Sequence, residues 1–428
     1  MIAMPRFTTL LDRRYSCLIS TVSLLMLTAM VIPARSADWP QHLGPHRNGI
    51  SADTGLIDEW PEDGLKEVFR VPGGVGMSGL AISRGALVTL VQRSGKQFVI
   101  ALDAKTGKTK WATPVAPAYT NGMGNGPRAT PAIINDQVFA FTGEGILVAL
   151  DFESGKILWS KNVIKQLGGK IADYGMACSP LVVDDQVIVT AGASQGTVAA
   201  FNIKTGEKAW SVGSDPAGYS SPALLIIAGK NQLVTYTGSS VLGIAPDTGA
   251  LLWRYPYITD YECNIATPLA IDGQVFISSG ENHGCALLAL KPNGDKFNVT
   301  KTWASQGSKS VLRNEWQTSM LLDGYLYGFD NGGSAGPLTH LTCIDAKTGD
   351  RKWQKIRFGK GNGIAADGKL LISTMKGEFV LVRANREEFQ EIGRVTVIGK
   401  TRQAPALADG LVYLRDDNEI VCLDLRKP

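Results

Sequence analysis

The 428-residue chain carries 43 Lys and Arg against 39 Asp and Glu, a formal net charge of +4, with 44% hydrophobic residues, 48 Gly and only 4 His. Arg6, Arg13, Arg14 and Arg35, offset by Asp12, account for most of that excess, so the rest of the chain is near neutral (about +1) and has no nucleic-acid footprint. No phosphate-cradling GxxxxGK[ST] loop and no HExxH zinc motif occurs.

From the N-terminus, Arg13 and Arg14 precede an almost uncharged run, Cys17 to Ile32, which is followed by Pro33-Ala34-Arg35-Ser36-Ala37. That is the order of a secretory signal peptide over residues 1–37, cleaved after Ser36 or Ala37, and the apolar run is short for a membrane span. A retained N-terminal anchor is the competing reading. No other stretch is long and apolar enough to cross a bilayer. The chain is therefore expected to be exported, periplasmic or secreted, with no stable membrane insertion once the signal is removed.

Residues 38–64, opening DWPQHLGPHRNG, hold too many Pro and Gly for a regular element and read as an irregular lead-in. His42 and His46 stand four apart, a spacing that aligns ligands only on a helix. Gly44-Pro45 between them argue against one, so both are expected as solvent-exposed loop residues.

From residue 65 onward the chain repeats. FVIALDAKTGKTKW (Phe98 to Trp111) returns as ILVALDFESGKILW ending at Trp159, TVAAFNIKTGEKAW at Trp210, VLGIAPDTGALLW at Trp253 and LTCIDAKTGDRKW at Trp353, with a looser copy ending at Trp303. Each copy is an apolar alternating run, an Asp-x-x-x-Gly turn and a short run closing on Trp. Asp bonds its own backbone and Gly supplies positive φ, so each reads as a tight hairpin. A second hairpin precedes each copy, as in ATPAIINDQVFAFT from Ala129 and CSPLVVDDQVIVTA from Cys178. Two hairpins make four strands, and a period of about 40 to 50 residues is that of propeller blades.

Third strands ending near Asp103, Asp151, Asn202, Ala245, Leu290, Asp345, Val382 and Asp424 predict eight blades. The C-terminal NEIVCLDLRKP supplies a third strand with no fourth, whereas LKEVFRV (Leu65 to Val71) resembles a fourth strand with no predecessors. Pairing the two closes the ring and removes open edges. The expected fold is all-β: an eight-bladed propeller of four-stranded antiparallel blades over residues 65–428, sealed by its N- and C-terminal strands. In the repeat alignment, Cys343 and Cys422 fall where Ala101 and Ala149 stand, so they read as small buried residues. The pairing of Cys178, Cys263 and Cys285 is left open.

The recurrent A-x-D-x-x-T-G-x-x-x-W signature, ALDAKTGKTKW and CIDAKTGDRKW here, resembles the tryptophan-docking repeat of the pyrroloquinoline-quinone (PQQ) type propellers. That superfamily includes quinoprotein alcohol dehydrogenases and the outer-membrane-protein assembly lipoprotein. DWPQHLGPHRNG also resembles the opening of secreted bacterial members. In this resemblance Trp111, Trp159, Trp210, Trp253, Trp303 and Trp353 are structural docking residues.

Strand direction divides the loops between two faces. Turns one-to-two and three-to-four, such as Asn135-Asp136 and the Lys-Thr-Gly turns, are short and repetitive. The opposite face receives variable loops, where binding surfaces usually lie. Their convergent residues form the candidate site: Asn125, Arg128, Tyr174, Tyr219, Tyr261, Glu262, Asn264, Arg313, Glu315, Trp316, Asn362 and Arg402. Aromatic bodies with polar tips, together with arginines, suit recognition of a polar ligand or peptide.

Two functions remain. The preferred one is an exported, non-catalytic, monomeric scaffold without cofactor, binding an envelope protein or an extracellular polymer. The alternative is a PQQ- and calcium-dependent alcohol or sugar dehydrogenase. Against it, the resemblance implies adjacent cysteines that are missing here, and Glu262, Asn264 and Glu315 match none of that family's calcium or base motifs. Glu281, His283 and Cys285 alternate in GENHGC, which is read as a short loop rather than a zinc site.

Overall fold

Alternating apolar runs broken by Asp–Gly turns fold as antiparallel hairpins, and the chain stacks them into eight four-stranded sheets. The computed structural model describes residues 38–333 and 338–427. The expected signal segment, residues 1–37, lies outside the described residues. Blade 1 spans 81–117, blade 2 132–162, blade 3 181–212, blade 4 223–256, blade 5 269–306, blade 6 320–355 and blade 7 361–396. Blade 8 takes three strands from 406–424 and its outer strand from Lys66–Pro72, which pairs antiparallel with Glu419–Asp424. The ring is thus sealed as the two leftover strands require.

Buried Val, Leu, Ile and Ala fill the middle strands and the layers between blades. The docking tryptophans join one blade to the next. Trp111 Nε1 donates to Phe152 O at 2.9 Å, Trp159 to Ile203 O at 2.9 Å, Trp303 to Ala346 O at 3.2 Å and Trp353 to Asn385 O at 2.7 Å. Each ring also lies on the neighbouring turn. A Cβ on Gly155 would fall 2.5 Å from Trp111 and one on Gly206 2.7 Å from Trp159, and both glycines have φ near +70°. Glycine is required there twice over, for the backbone and for the ring.

Small residues stand opposite the rings across the ladder: Ala101, Ala149, Ala200 and Cys343 face Trp111, Trp159, Trp210 and Trp353, and Cys422 faces Phe69. All five described cysteines are free thiols.

Three blades vary the device. In blade 8, Phe69 replaces Trp and lies against Gly107 of blade 1. In blade 7 the ring position is Gly393, paired with Leu381, and the indole of Trp60 from the lead-in packs onto it. In blade 4, Trp253 turns inward: its Nε1 donates to the buried Gln232 Oε1 at 2.7 Å. Blade 5 offers it no stacking turn, since its Gly294 has open space around it.

Residues 38–64 contain only isolated bridges, yet they reach across most of the short-turn face. Trp39 exchanges hydrogen bonds with Ile82 of blade 1, at 2.8 and 2.7 Å. Pro40 O accepts from Ile133 of blade 2 at 2.8 Å, and the Arg47 guanidinium donates to Ser179 O and Pro180 O beside blade 3, both at 2.9 Å. Ser51 N donates to Ala365 O of blade 7 at 2.8 Å, and Ile57 N to Leu425 O beyond blade 8 at 2.8 Å. No helix among the described residues is long and apolar enough to cross a membrane.

Candidate functional site

Each innermost strand is only three to six residues long and begins where a variable loop turns in toward the axis. Four of those turns carry a hydroxyl residue before Pro: Thr130, Ser179, Ser221 and Thr267. The hydroxyls link successive blades. Gly79 N donates to Thr130 Oγ1 at 3.2 Å, Thr130 N to Ser179 Oγ at 2.9 Å, Ser179 N to Ser221 Oγ at 2.9 Å and Thr267 N to Thr318 Oγ1 at 2.9 Å. Proline removes the next backbone donor, so a hydroxyl girdle satisfies amides that no strand pairs.

The girdle encloses a central cavity of ≈ 210 Å³. Trp39, His42 and Leu43 of the lead-in line it from the short-turn face, so that face is closed. This corrects the expectation for His42: Gly44-Pro45 do bend the chain, but the bend places the imidazole inside the channel. There its Nε2 lies 3.4 Å from Thr267 Oγ1. Burial, and then the nearby Arg47 charge, lower its pKa to about 3. His46 is exposed, as expected.

Of the twelve residues expected to converge, the cavity brings together Arg128, Tyr174, Tyr219, Trp316, Asn362 and Arg402. Tyr174 and Tyr219 stack with centroids 5.5 Å apart. Arg128 lies 4.6 Å over the Tyr119 ring and is held by backbone carbonyls: Nε to Tyr174 O at 2.6 Å, Nη2 to Gly124 O at 2.6 Å and Nη1 to Gly126 O. Burial lowers its pKa from the ordinary arginine value. Trp316 lies between two cations, Lys360 at 4.5 Å and Arg402 at 5.0 Å from the ring centroid. Arg402 Nη1 donates to Met123 O at 2.6 Å and contacts Met77 Sδ at 3.4 Å, while Asn362 Nδ2 donates to Arg402 O.

The other six stand elsewhere. Arg313 is buried in a bidentate pair with Asp330 at 2.6 and 2.9 Å, and Asn264 is sealed in its loop, donating to Thr237 O at 2.8 Å. Both hold loops. Glu315 pairs with Lys360 at 2.7 Å, and burial raises its pKa despite that partner. Asn125 caps Asn121 N at 3.0 Å. Tyr261, 66% exposed, and Glu262 both stand in solvent, each with φ near +58°. The Glu281, His283 and Cys285 group does not assemble: His283 meets Asp260, 3.7 Å away, and Cys285 is buried against Ser310.

Reading the sequence missed Trp39, His42, Met77 and Met123, as well as the hydroxyl girdle. The recurring hydroxyl-Pro pair was the available signal for the girdle. No Asp or Glu lines the cavity, and no cluster of three potential metal ligands occurs among the described residues.

The family model of outer membrane protein assembly factor BamB matches residues 95–355. The chain belongs to that family. Among curated relatives of this BamB-family chain, quinohemoprotein alcohol dehydrogenase ADH IIB of Pseudomonas putida is 29% identical over 37% of the chain and 30% of its own length. BamB of Burkholderia pseudomallei is 26% identical over 26% of the chain and 27% of its own length. The chain thus covers about a third or less of these relatives. Among solved structures, quinohemoprotein alcohol dehydrogenase from Comamonas testosteroni superposes with TM-score 0.66 at 13% identity, over 92% of this chain and 82% of the other. BamB from Moraxella catarrhalis gives 0.59 at 15%, over 84% and 99%. Those two likenesses are of fold.

Proposed function

We propose that this propeller is an exported, non-catalytic binding protein of the cell envelope that grips a protein or polymer on its variable-loop face. The observation that carries the reading is the chemistry of the cavity, whose lining combines arginines, aromatic rings and hydroxyls with no carboxylate. A calcium-bound quinone centre needs a hard cation held by carboxylate and carbonyl oxygens, and a base for the alcohol proton. Arg128 and Arg402 at the mouth oppose a second cation, and no lining residue can serve as a carboxylate base. The residues present do not fit that centre.

Around the mouth, the variable loops expose Met123, Ile171, Ile258, Tyr261 and Ile356 at 44 to 74%. Exposed apolar and aromatic side chains around a pocket with arginines are the composition of a recognition surface. BamB-type relatives, named for outer membrane protein assembly, favour a protein partner.

Pull-down from envelope extract compares the wild type with a Trp316→Ala/Arg402→Ala variant shown by circular dichroism to be folded. These two are chosen because Arg128 and Arg313 hold their own loops. The expected result is a defined partner retained by the wild type and lost by the variant. Equal recovery rejects the assigned face. A calcium-dependent rise in Tm with PQQ, together with alcohol-dependent dye reduction, rejects the non-catalytic reading.

A further inference from the structure

The cavity has one open end, and its polarity runs along the axis. At the closed end Trp39, Leu43 and Leu80 form an apolar floor beside the neutral imidazole of His42. At the open end stands Arg402, half-buried and laid on Trp316, with only Nη1 occupied by protein acceptors, a carbonyl and a thioether. Its Nε and Nη2 edge meets no acceptor among the described residues. A second arginine, Arg47, lies 2% exposed just outside the floor, with its guanidinium on two carbonyls and Gln41 and its Nε without a partner. Its positive charge reaches the channel undiminished by any carboxylate in the lining.

An apolar body inserted here is shielded by the floor and by the Tyr174 and Tyr219 pair, and a cation is repelled from both ends. A planar carboxylate matches the unoccupied guanidinium edge, where charge-assisted hydrogen bonds are strong. At ≈ 210 Å³ the space lies below the usual range for drug-sized ligands, so the occupant is compact.

We propose that the channel binds a compact apolar or aromatic group ending in a single carboxylate, the carboxylate at Arg402 and the apolar body on Trp39 and Leu43. This rests on the variable-loop face being the binding face. The same chemistry comes from two sources, a free organic acid or the C-terminal residue of a polypeptide.

The test uses the folded chain at pH 7 in calorimetric titrations without calcium. The probes are 3-phenylpropionate, its neutral amide, the corresponding amine, and a short peptide ending in Phe as free acid or as C-terminal amide. The acid is expected to bind at least ten-fold more tightly than its amide, and the amine not at all. A peptide acid that outbinds 3-phenylpropionate assigns the chain-terminus source, and the reverse assigns the free acid. Arg402→Gln is expected to erase the preference for acid over amide, Arg402→Lys to restore part of it, and Leu43→Trp to block every probe by filling the floor. Equal affinity for acid and amide, binding only when calcium is added, or no binding by any acid overturns the proposal. Envelope partner capture is measured on the same preparation. Capture that persists without acid binding sinks this inference alone, and loss of both sinks the binding face as well.

Discussion

Arg415 is 1% exposed in the second strand of blade 8 and reaches into blade 1, where Nη1 donates to Thr89 Oγ1 and Leu90 O at 2.9 and 2.8 Å, while Nη2 donates to Gly74 O, ahead of that blade, at 2.6 Å. Burial lowers its pKa to about 10, and its Nε has no partner. Removing the side chain leaves dry carbonyls but also relieves a desolvated charge that Asp417 and Asp416 offset only in part, so the effects partly cancel. Arg415→Met is expected to cost about 2 kcal/mol in urea unfolding, the dry carbonyls prevailing. A neutral result would mean that the charge dominates. His42 makes a second residue-scale prediction. Its folded pKa is about 3, whereas the unfolded side chain titrates near 6.5. As pH falls, the unfolded state takes up the proton first, so this contribution is whole above about 6.5 and fades steadily toward 3. His42→Gln should show a smaller drop in Tm between pH 7 and pH 5 than the wild type. Parallel curves would place the imidazole in water. Two of the cysteines were legible at this scale: repeat alignment put Cys343 and Cys422 at small buried positions, and the ladder sets them opposite Trp353 and Phe69. Arg313 and Asn264 were not, because their partners Asp330 and Thr237 come from neighbouring strands and loops, which spacing along the chain does not disclose.

At the scale of elements, the hairpin repeat was readable because the Asp turn, the Gly and the Trp recur at fixed offsets along the chain. Docking depends on the next blade as well, and there the sequence copy misleads. Trp253 ends a good repeat yet bonds within its own blade, because the long hairpin of blade 5, Gly284–Asn293 with Lys296–Gln306, presents no turn beneath it. The converse holds at blade 7, where Trp60 arrives from the lead-in onto Gly393. Two glycines separate the backbone part of docking from the steric part. Gly229 has φ +76° and nothing within 4 Å of an added Cβ, whereas Gly206 has φ +69° and the Trp159 ring at 2.7 Å. Gly229→Ala should cost about 1 kcal/mol, from the left-handed backbone alone. Gly206→Ala should cost roughly 1–3 kcal/mol more, from displacing the indole. Equal losses in matched urea titrations would show that the ring contact contributes nothing.

For the whole molecule, the eight blades and their closure followed from counting strands, since two unmatched ends leave one economical pairing. The lead-in as a floor did not follow. Its backbone is irregular, and its partners, Ile82, Ile133, Ala365 and Leu425, are scattered over most of the ring. The closing seam makes blades 8 and 1 mutually dependent, because Phe69 belongs to one and lies on Gly107 of the other. Phe69→Ala should raise amide hydrogen exchange in residues 406–424 and in the 103–109 turn together, with blades 3 to 5 little changed. Exchange confined to blade 8 would mean that the seam transmits nothing.

The seam also constrains how the protein is made. Gly76 bonds the Asp417 carboxylate, a partner 341 positions later, and the neighbouring outer strand awaits the same stretch of chain. At about 5–20 residues per second, that early strand waits tens of seconds on the ribosome, its unpaired edge open to any passing polypeptide. In an exported chain that exposure lasts until translocation is complete, so a factor that shelters unfolded chains is expected to have its greatest effect on this first segment.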